Sequence, residues 1–395
     1  MARDFIFTSE SVTEGHPDKL CDQVSDAIVD QFLRHDPQSR IIAECAAAKG
    51  IFFIAARFAS RAMVDIPQVA RQVIHQIGYN GGDFDAASCS ILTSLQELPS
   101  QDFMRVVAAH LSNEEIEHIP VRNQANVFGY ACDHTSGFMP LPLWLAHKLA
   151  RRLTAARLER QVSYLGPDGT TQVGVEFKEG RPHRIQSITL IASQEPKQPR
   201  SQDTLRDDLM EHVVQPAFIG EEITFDANTK VFVNPGGVFI GGGPAQHSGM
   251  TGRKTGVDTY GEYARHSSAA LSGKDCLRID RVGAYAARHA AKNVVAAGLA
   301  RECEVHLSYT IGFARPVSIH VETFRTGRVP DEEIVRRLTE HFDFRPAGIM
   351  QAYRLQELPA LVKGGFYRRL AAYGHMGRMD ISLPWEKTER ADALL

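Results

Sequence analysis

Three segments of the 395-residue chain carry residue types that could do chemistry together. The first is EGHPDK, residues 14–19, which sets His16, Asp18 and Lys19 within four positions where an amphipathic pattern begins. Pro17 suits a first helical turn because its missing N–H is not needed there, and Asp18 complements the positive end of the helix dipole. Taken alone, this is a capped helix start, with Asp22, Asp26 and Asp30 continuing a solvated face at four-residue spacing. The alternative is a site for phosphate and metal, with His16 as acid or hydrogen-bond donor. The second segment is NPGGVFIGGGPAQHSGMTGRKTGVDTYG, residues 234–261. Glycine at this density lets backbone approach a ligand closely or turn sharply, and Arg253 and Lys254 add adjacent cations. The spacing is not that of a G-x-x-x-x-G-K-[ST] loop, because Arg253 separates Gly252 from Lys254, and no G-x-G-x-x-G occurs. An anion-binding loop of another type is expected. The third segment is HSSAALSGKDCLRIDRVGAYAARHAAKN, residues 266–293. Lys274 and Arg278 bring charge, and Asp280 is an N-cap or a metal carboxylate. Pooled, His16, Lys19, Arg253, Lys254, Lys274 and Arg278 are cations or donors, while Asp18 and Asp280 are hard oxygen ligands for Mg²⁺. That inventory suits a polyphosphate with bound metal.

The elements that must position these residues alternate between two periods. Paired β-branched runs read as antiparallel hairpins: RIIAEC with GIFFIAARF around AAAKG, TQVGVEF with RIQSITLIAS around KEGRPH, and EVHLSYTIGF with SIHVETF around ARPV. Apolar residues three and four apart predict helices over 18–33, 65–77, 141–159, 205–214, 280–300 and 331–341. Hairpins interleaved with helices predict α+β layers with mixed sheets and not a doubly wound parallel fold. Residues 194–202 form a polar connection. Residues 98–126 are the longest stretch without a convincing strand, an insertion or a lid, with a short helix expected in SQDFMRVVAAHL.

Length predicts two or three subdomains. With 44 Lys and Arg against 47 Asp and Glu, a net charge of −3 gives no footprint for nucleic acid, so any anion site is local. The six scattered cysteines form no C-x-x-C pair, which argues against a structural zinc or disulfide framework and for a reducing cytoplasm. No apolar run reaches the length of a membrane span, and Asp4 interrupts any signal-peptide reading.

EGHPDK, FDAASCSIL, VFGYA, GGGP…GMTGRKTGVDTYG, ARH…SGKD…ID, AYAARHAAKNVVAAGLA and a closing LPWEKT, taken in order, resemble the S-adenosylmethionine synthetase (methionine adenosyltransferase) family from residue 7 to about residue 394. The resemblance implies three similar α/β subdomains related by pseudo-threefold symmetry and woven from separate segments: 1–14 with 135–240, 15–101 with 241–283, and 102–134 with 284–395. It also implies a homodimer, or a dimer of dimers, with active sites between subunits. The implied reaction displaces the triphosphate of ATP with the sulfur of methionine, then cleaves tripolyphosphate to pyrophosphate and phosphate. By the same resemblance, His16 sits at the breaking bond, Asp18 and Asp280 hold Mg²⁺, and Glu44 matches a K⁺ site. Asp168, Phe239, Arg253, Lys254, Lys274 and Arg278 fall on ATP and phosphate positions, with Phe239 against the adenine and Lys254 and Lys274 among the catalytic cations. Ile311 matches an apolar contact to the acceptor.

Departures from the family pattern collect around that acceptor. Arg57 stands where the family has glutamate, and PVRNQA (120–125) replaces G-A-G-D-Q-G, so that Asn123 takes the aspartate position. The family glutamine falls at Leu98, with Gln96 close by; His247 replaces an aspartate, Thr170 a lysine, and Arg278 a lysine. Carboxylates that bind an ammonium group cannot be exchanged for cations without repelling it. Methionine is the acceptor that the resemblance implies by default, and these departures open other readings. Transfer to another nucleophile, an anionic one included, and a non-catalytic subunit partnering a true synthetase are the other readings, and an ATP tripolyphosphatase is a third.

Overall fold

The computed structural model describes residues 4–99, 106 and 111–395. The helix expected in SQDFMRVVAAHL falls almost wholly outside the described residues, and so do residues 100–105 and 107–110 of the insertion or lid expected over 98–126. Eleven strands are described: β1 Phe5–Val12, β2 Arg40–Ala48, β3 Ile51–Ala59, β4 Ser90–Glu97, β5 Ala125–Cys132, β6 Leu165–Lys178, β7 Arg181–Gln194, β8 Lys230–Val233, β9 Gly249–Met250, β10 Glu302–Tyr309 and β11 Ser318–Glu322. The described helices of eight or more residues are α1 Pro17–His35, α2 Ile66–Ile77, α3 Leu141–Leu158, α4 Gln202–Leu209, α5 Ile279–Ala296 and α6 Asp331–His341.

The strands make three sheets, in the orders β1-β6-β7-β8, β4-β3-β2-β9 and β11-β10-β5. The first two are mixed, since β8 runs parallel to β7 and β4 parallel to β3, and the third is antiparallel throughout. Each sheet is backed by one long helix: α3 on β1 and β6, α1 on β2, α5 on β5. This recurrence of sheet and covering helix is the α+β architecture that the interleaved periods predict. All three expected hairpins form. In the long one, Glu179 and Gly180 both take left-handed backbone (φ 50° and 73°), which matches a tight turn to the twist of β6 and β7. The buried apolar residues form two clusters, one around α3 and the first sheet, the other joining the second and third sheets through α1 and α5.

One expectation is reversed. Asp22, Asp26 and Asp30 do not line a solvated face; all three are buried. Each carboxylate is satisfied by a neighbouring segment. Asp22 accepts from Gly252 N (2.8 Å) and pairs with Lys19; Asp26 accepts from Gly273 N (2.8 Å) and pairs with Arg281 of α5. Asp30 accepts the N–H groups of Phe366, Tyr367 and Arg368 at 2.9 to 3.0 Å. Buried carboxylates persist only with such partners, so the four-residue ladder fastens three chain segments to α1. The helix expected over 205–214 starts earlier, at Gln202, and its last turn, Met210–Val214, is a π-helix. Among the described residues no helix is long and apolar enough to cross a membrane.

Candidate active site

The start of α1 is built as a cap. His16 is the N-cap, and its Nδ1 accepts the N–H of Asp18 at 3.2 Å. An imidazole that accepts at Nδ1 carries its proton on Nε2 when neutral. Burial, outweighing the pull of Asp168, lowers the His16 pKa to about 3. His16 is thus a neutral ring with an Nε2–H donor at ordinary pH. Asp18 accepts Met250 N at 3.0 Å, and burial raises its pKa.

The glycine-rich segment lies directly on this cap. A Cβ at Gly249 would stand 2.2 Å from the carbonyl carbon of Pro17, so no other residue lets β9 approach the helix start this closely. β9 in turn pairs with β2 at Ala46 and Ala47. The approach brings Arg253 Nη1 to 3.9 Å from Asp18 and Lys254 Nζ to 2.6 Å from Glu10 on β1. His247 packs edge-on to His16, with ring centroids 5.0 Å apart, and bonds through Nε2 to Asp168 at 2.9 Å. That hydrogen bond is the main cause raising the His247 pKa. Asp168 also accepts Gly243 N at 2.8 Å, and the Phe239 ring edge lies against Gly242 next to it. Thr170, two residues on, is half-buried in β6. His16, Asp18, Asp168, Phe239, His247, Arg253 and Lys254 therefore gather in one place. A neutral donor between a carboxylate and two cations, at a helix start, suits a phosphate chain.

Lys19 does not join them. It is fully buried between Asp22 and Asp258 and serves the core. Glu10 and Asp258, which hold Lys254 and Lys19, are partners that the sequence alone gave no signal for.

A second group forms at the far end of β2. Ile42 bridges Lys274, and Asp275 accepts Ile41 N (3.0 Å) and Arg40 Nε (3.2 Å). Lys274 Nζ lies 3.2 Å from Asp280, which also accepts Asn123 Nδ2 at 2.9 Å. Burial lowers the pKa values of Lys274 and Arg278. Arg57 on β3 stands opposite Ile42, and Gln96 on β4 opposite Arg57. Gln96, and not the half-buried Leu98 beyond the strand end, thus shares the row of Arg57. The 120–125 segment docks on the loop that holds Ile311, through Val121 N to Phe313 O (2.9 Å) and Gly312 N to Val121 O (3.0 Å). Ile311 itself is exposed. Asp280, Gln124, Asn126, His266 and His306 border an open cavity of about 790 Å³ on the third sheet. The acceptor-side residues Arg57, Asn123 and Ile311 thus fall in this group, whereas His247 falls in the first.

The two groups are not merged within one chain. Their anchor points on β2, at Ala46 and Ile42, are four residues apart, roughly 13 Å along an extended strand. Glu44 lies between them on the exposed face. Among the described residues no three His, Cys, Asp or Glu side chains converge as a metal cage. Asp18 in the first group and Asp280 in the second are hard oxygen donors of the kind that hold Mg²⁺ while phosphate and water complete its shell.

Three helix-backed sheets with a split centre of cations and single carboxylates define a class: an α+β protein equipped for a polyphosphate ligand. The sequence matches the S-adenosylmethionine synthetase N-terminal domain over residues 4–100, the central domain over 118–239 and the C-terminal domain over 240–387. It is 48% identical to the S-adenosylmethionine synthase of Gloeothece citriformis, covering 100% of this chain and 97% of that one. Identity to the synthase of Rippkaea orientalis is 48%, and to that of Microcystis aeruginosa 47%, each over 100% of this chain and at least 96% of the relative. The chain belongs to the S-adenosylmethionine synthetase family.

Proposed function

We propose that the protein transfers the adenosyl group of ATP to the sulfur of methionine, giving S-adenosylmethionine, and hydrolyses the released tripolyphosphate with one water to pyrophosphate and phosphate. The observation that carries this reading is the grouping of a neutral, donor-bearing His16 with Asp18, Arg253 and Lys254 at one helix start. The names of the full-length relatives support it.

In this reading the sulfur lone pair forms a bond to the 5′ carbon as the carbon–oxygen bond to triphosphate breaks, its electron pair leaving with the oxygen. His16 Nε2–H donates to that oxygen as charge develops, and Arg253 and Lys254 offset the charge of the phosphate chain. Lys274 and Arg278 do the same from the second group, and Phe239 and Asp168 border the nucleoside. Asp18 and Asp280 would hold Mg²⁺, which supplies further charge neutralisation when bound, and Glu44 would hold K⁺.

The separation of the two groups along β2 calls for a second copy of the chain, so that each site draws one group from either subunit. The outer face of the second sheet suits this contact. It is backed by α1 on one side and presents exposed Ile51, Phe53, Leu92 and Met250 on the other. The same reading takes the chain as three interleaved subdomains with the limits given above, one sheet to each.

The test is to incubate the purified protein with ATP, Mg²⁺ and K⁺, with and without methionine, and to follow S-adenosylmethionine and phosphate by mass spectrometry. Methionine-dependent S-adenosylmethionine supports the reading, and ATP binding without any adenosyl product would sink it.

A further inference from the structure

Tyr79 follows Gly78, the left-handed C-cap of α2 (φ 115°), and is buried. Two contacts seat it there. Its carbonyl accepts the N–H of Ala86 at 2.9 Å, and its ring meets that of Phe84 edge-on, with centroids 5.4 Å apart. Both partners belong to the FDAASCSIL segment, which no step of the adenosyl-transfer reading uses.

From this seat Tyr79 touches two segments of the first group. Its hydroxyl donates to the carbonyl of Gly15, the residue before His16. Its ring lies against Gly243, where a Cβ would stand 2.3 Å from the hydroxyl oxygen and 2.5 Å from Cε1. The Gly243 N–H donates to Asp168 at 2.8 Å, and its carbonyl accepts the N–H of His247 at 3.2 Å. Gly243 is thus the joint of the loop from Phe239 to His247. Gly15 is held closely on another side, since a Cβ there would stand 2.3 Å from the carbonyl oxygen of Pro167, next to Asp168. The Gly15 carbonyl and the His16 N–H share one planar peptide unit. Tyr79 holds the oxygen edge of that plane, and Thr13 O accepts the N–H at 3.2 Å. Arg157 of α3 makes a separate tie between the end of α2 and the same motif, donating to Ile77 O (2.9 Å) and Glu14 (3.1 Å).

We propose that Tyr79 is a positioning residue: it sets the His16 ring relative to the loop that carries Phe239 and His247. In doing so it aligns the Nε2–H donor with the leaving oxygen of the bound nucleotide. This rests on the adenosyl-transfer reading, in which His16 donates to that oxygen. A donor engaged only as charge develops acts on kcat and not on ground-state binding, and a small misplacement of such a group is costly.

The test is a double-mutant cycle in the full chain with ATP, methionine, Mg²⁺ and K⁺, following S-adenosylmethionine by mass spectrometry. Tyr79→Phe keeps the ring against Gly243 and removes only the hydroxyl. Alone, it should lower kcat by about tenfold and leave KM for ATP unchanged within about twofold. Added to His16→Asn, it should cost less than about twofold more, because the donor that it aligns is already gone. Thermal melting of all four proteins checks that each is folded at the assay temperature. Phe84→Leu, which loosens the seat of the ring and keeps the hydroxyl, should show the same dependence on His16. It carries the test if Tyr79→Phe melts too low. An equal loss in both backgrounds, a loss confined to KM for ATP, or no loss at all would overturn the proposal and leave adenosyl transfer standing. No S-adenosylmethionine from the unaltered protein would remove the adenosyl-transfer reading and this inference together.

Discussion

At the scale of single residues, the decisive features are which proton a side chain holds and what it faces. His16 holds its proton on Nε2 because Nδ1 is spent on the helix cap, and burial keeps the ring neutral down to a pKa of about 3. His16→Asn should lower kcat by about 100- to 1000-fold, the usual cost of removing one aligned donor to a developing oxyanion, while circular dichroism stays native. The rate should show no limb from His16 above about pH 4, which a pH profile of kcat checks. His247 bonds Asp168 and packs on His16, apart within the chain from Arg57, Asn123 and Ile311. Proximity of this kind joins positions 79 residues apart, and no spacing rule reports it.

At the scale of elements, α1 organises the molecule through its buried acids. Asp26 reaches Arg281 of α5 and the N–H of Gly273, next to Lys274, so one carboxylate fixes both the helix pair and the second group of cations. Leaving Arg281 buried without its partner is costly. Asp26→Ala should destabilise the protein by about 3–5 kcal/mol, as measured by denaturant titration, and should weaken ATP binding through displacement of Lys274. The hairpins and the helix starts were legible in sequence because β-branched pairs around turns, and Pro17 with Asp18, have local causes. The burial of Asp22, Asp26 and Asp30 was not. A four-residue acidic repeat looks the same whether it meets water or backbone N–H groups from residues 252, 273 and 366–368.

At the scale of the whole molecule, the outer face of the helix-backed second sheet exposes Ile51, Phe53, Leu92 and Met250 beside the charged Glu44 and Arg57, and the two groups of residues lie along β2. The proposed dimer joins these facts. Phe53→Glu would place a charge in the centre of that face, opposite Ala46 and beside Leu92. It should yield a monomer by sedimentation and abolish adenosyl transfer while leaving the fold of each chain intact. Retained activity in a monomer would show that one chain closes its own site.

The sequence by itself determined the chemistry on offer and the elements that carry it. His16, Asp18, Arg253, Lys254, Lys274 and Asp280 stand in ordered motifs, and local propensity suffices to set a cap, a glycine-rich loop or a hairpin. The tertiary structure decided the grouping. It put Lys19 in the core, His247 on Asp168, and Arg57 in a row with Lys274, because strand register and the close approach at Gly249 are set by packing between segments distant in the chain.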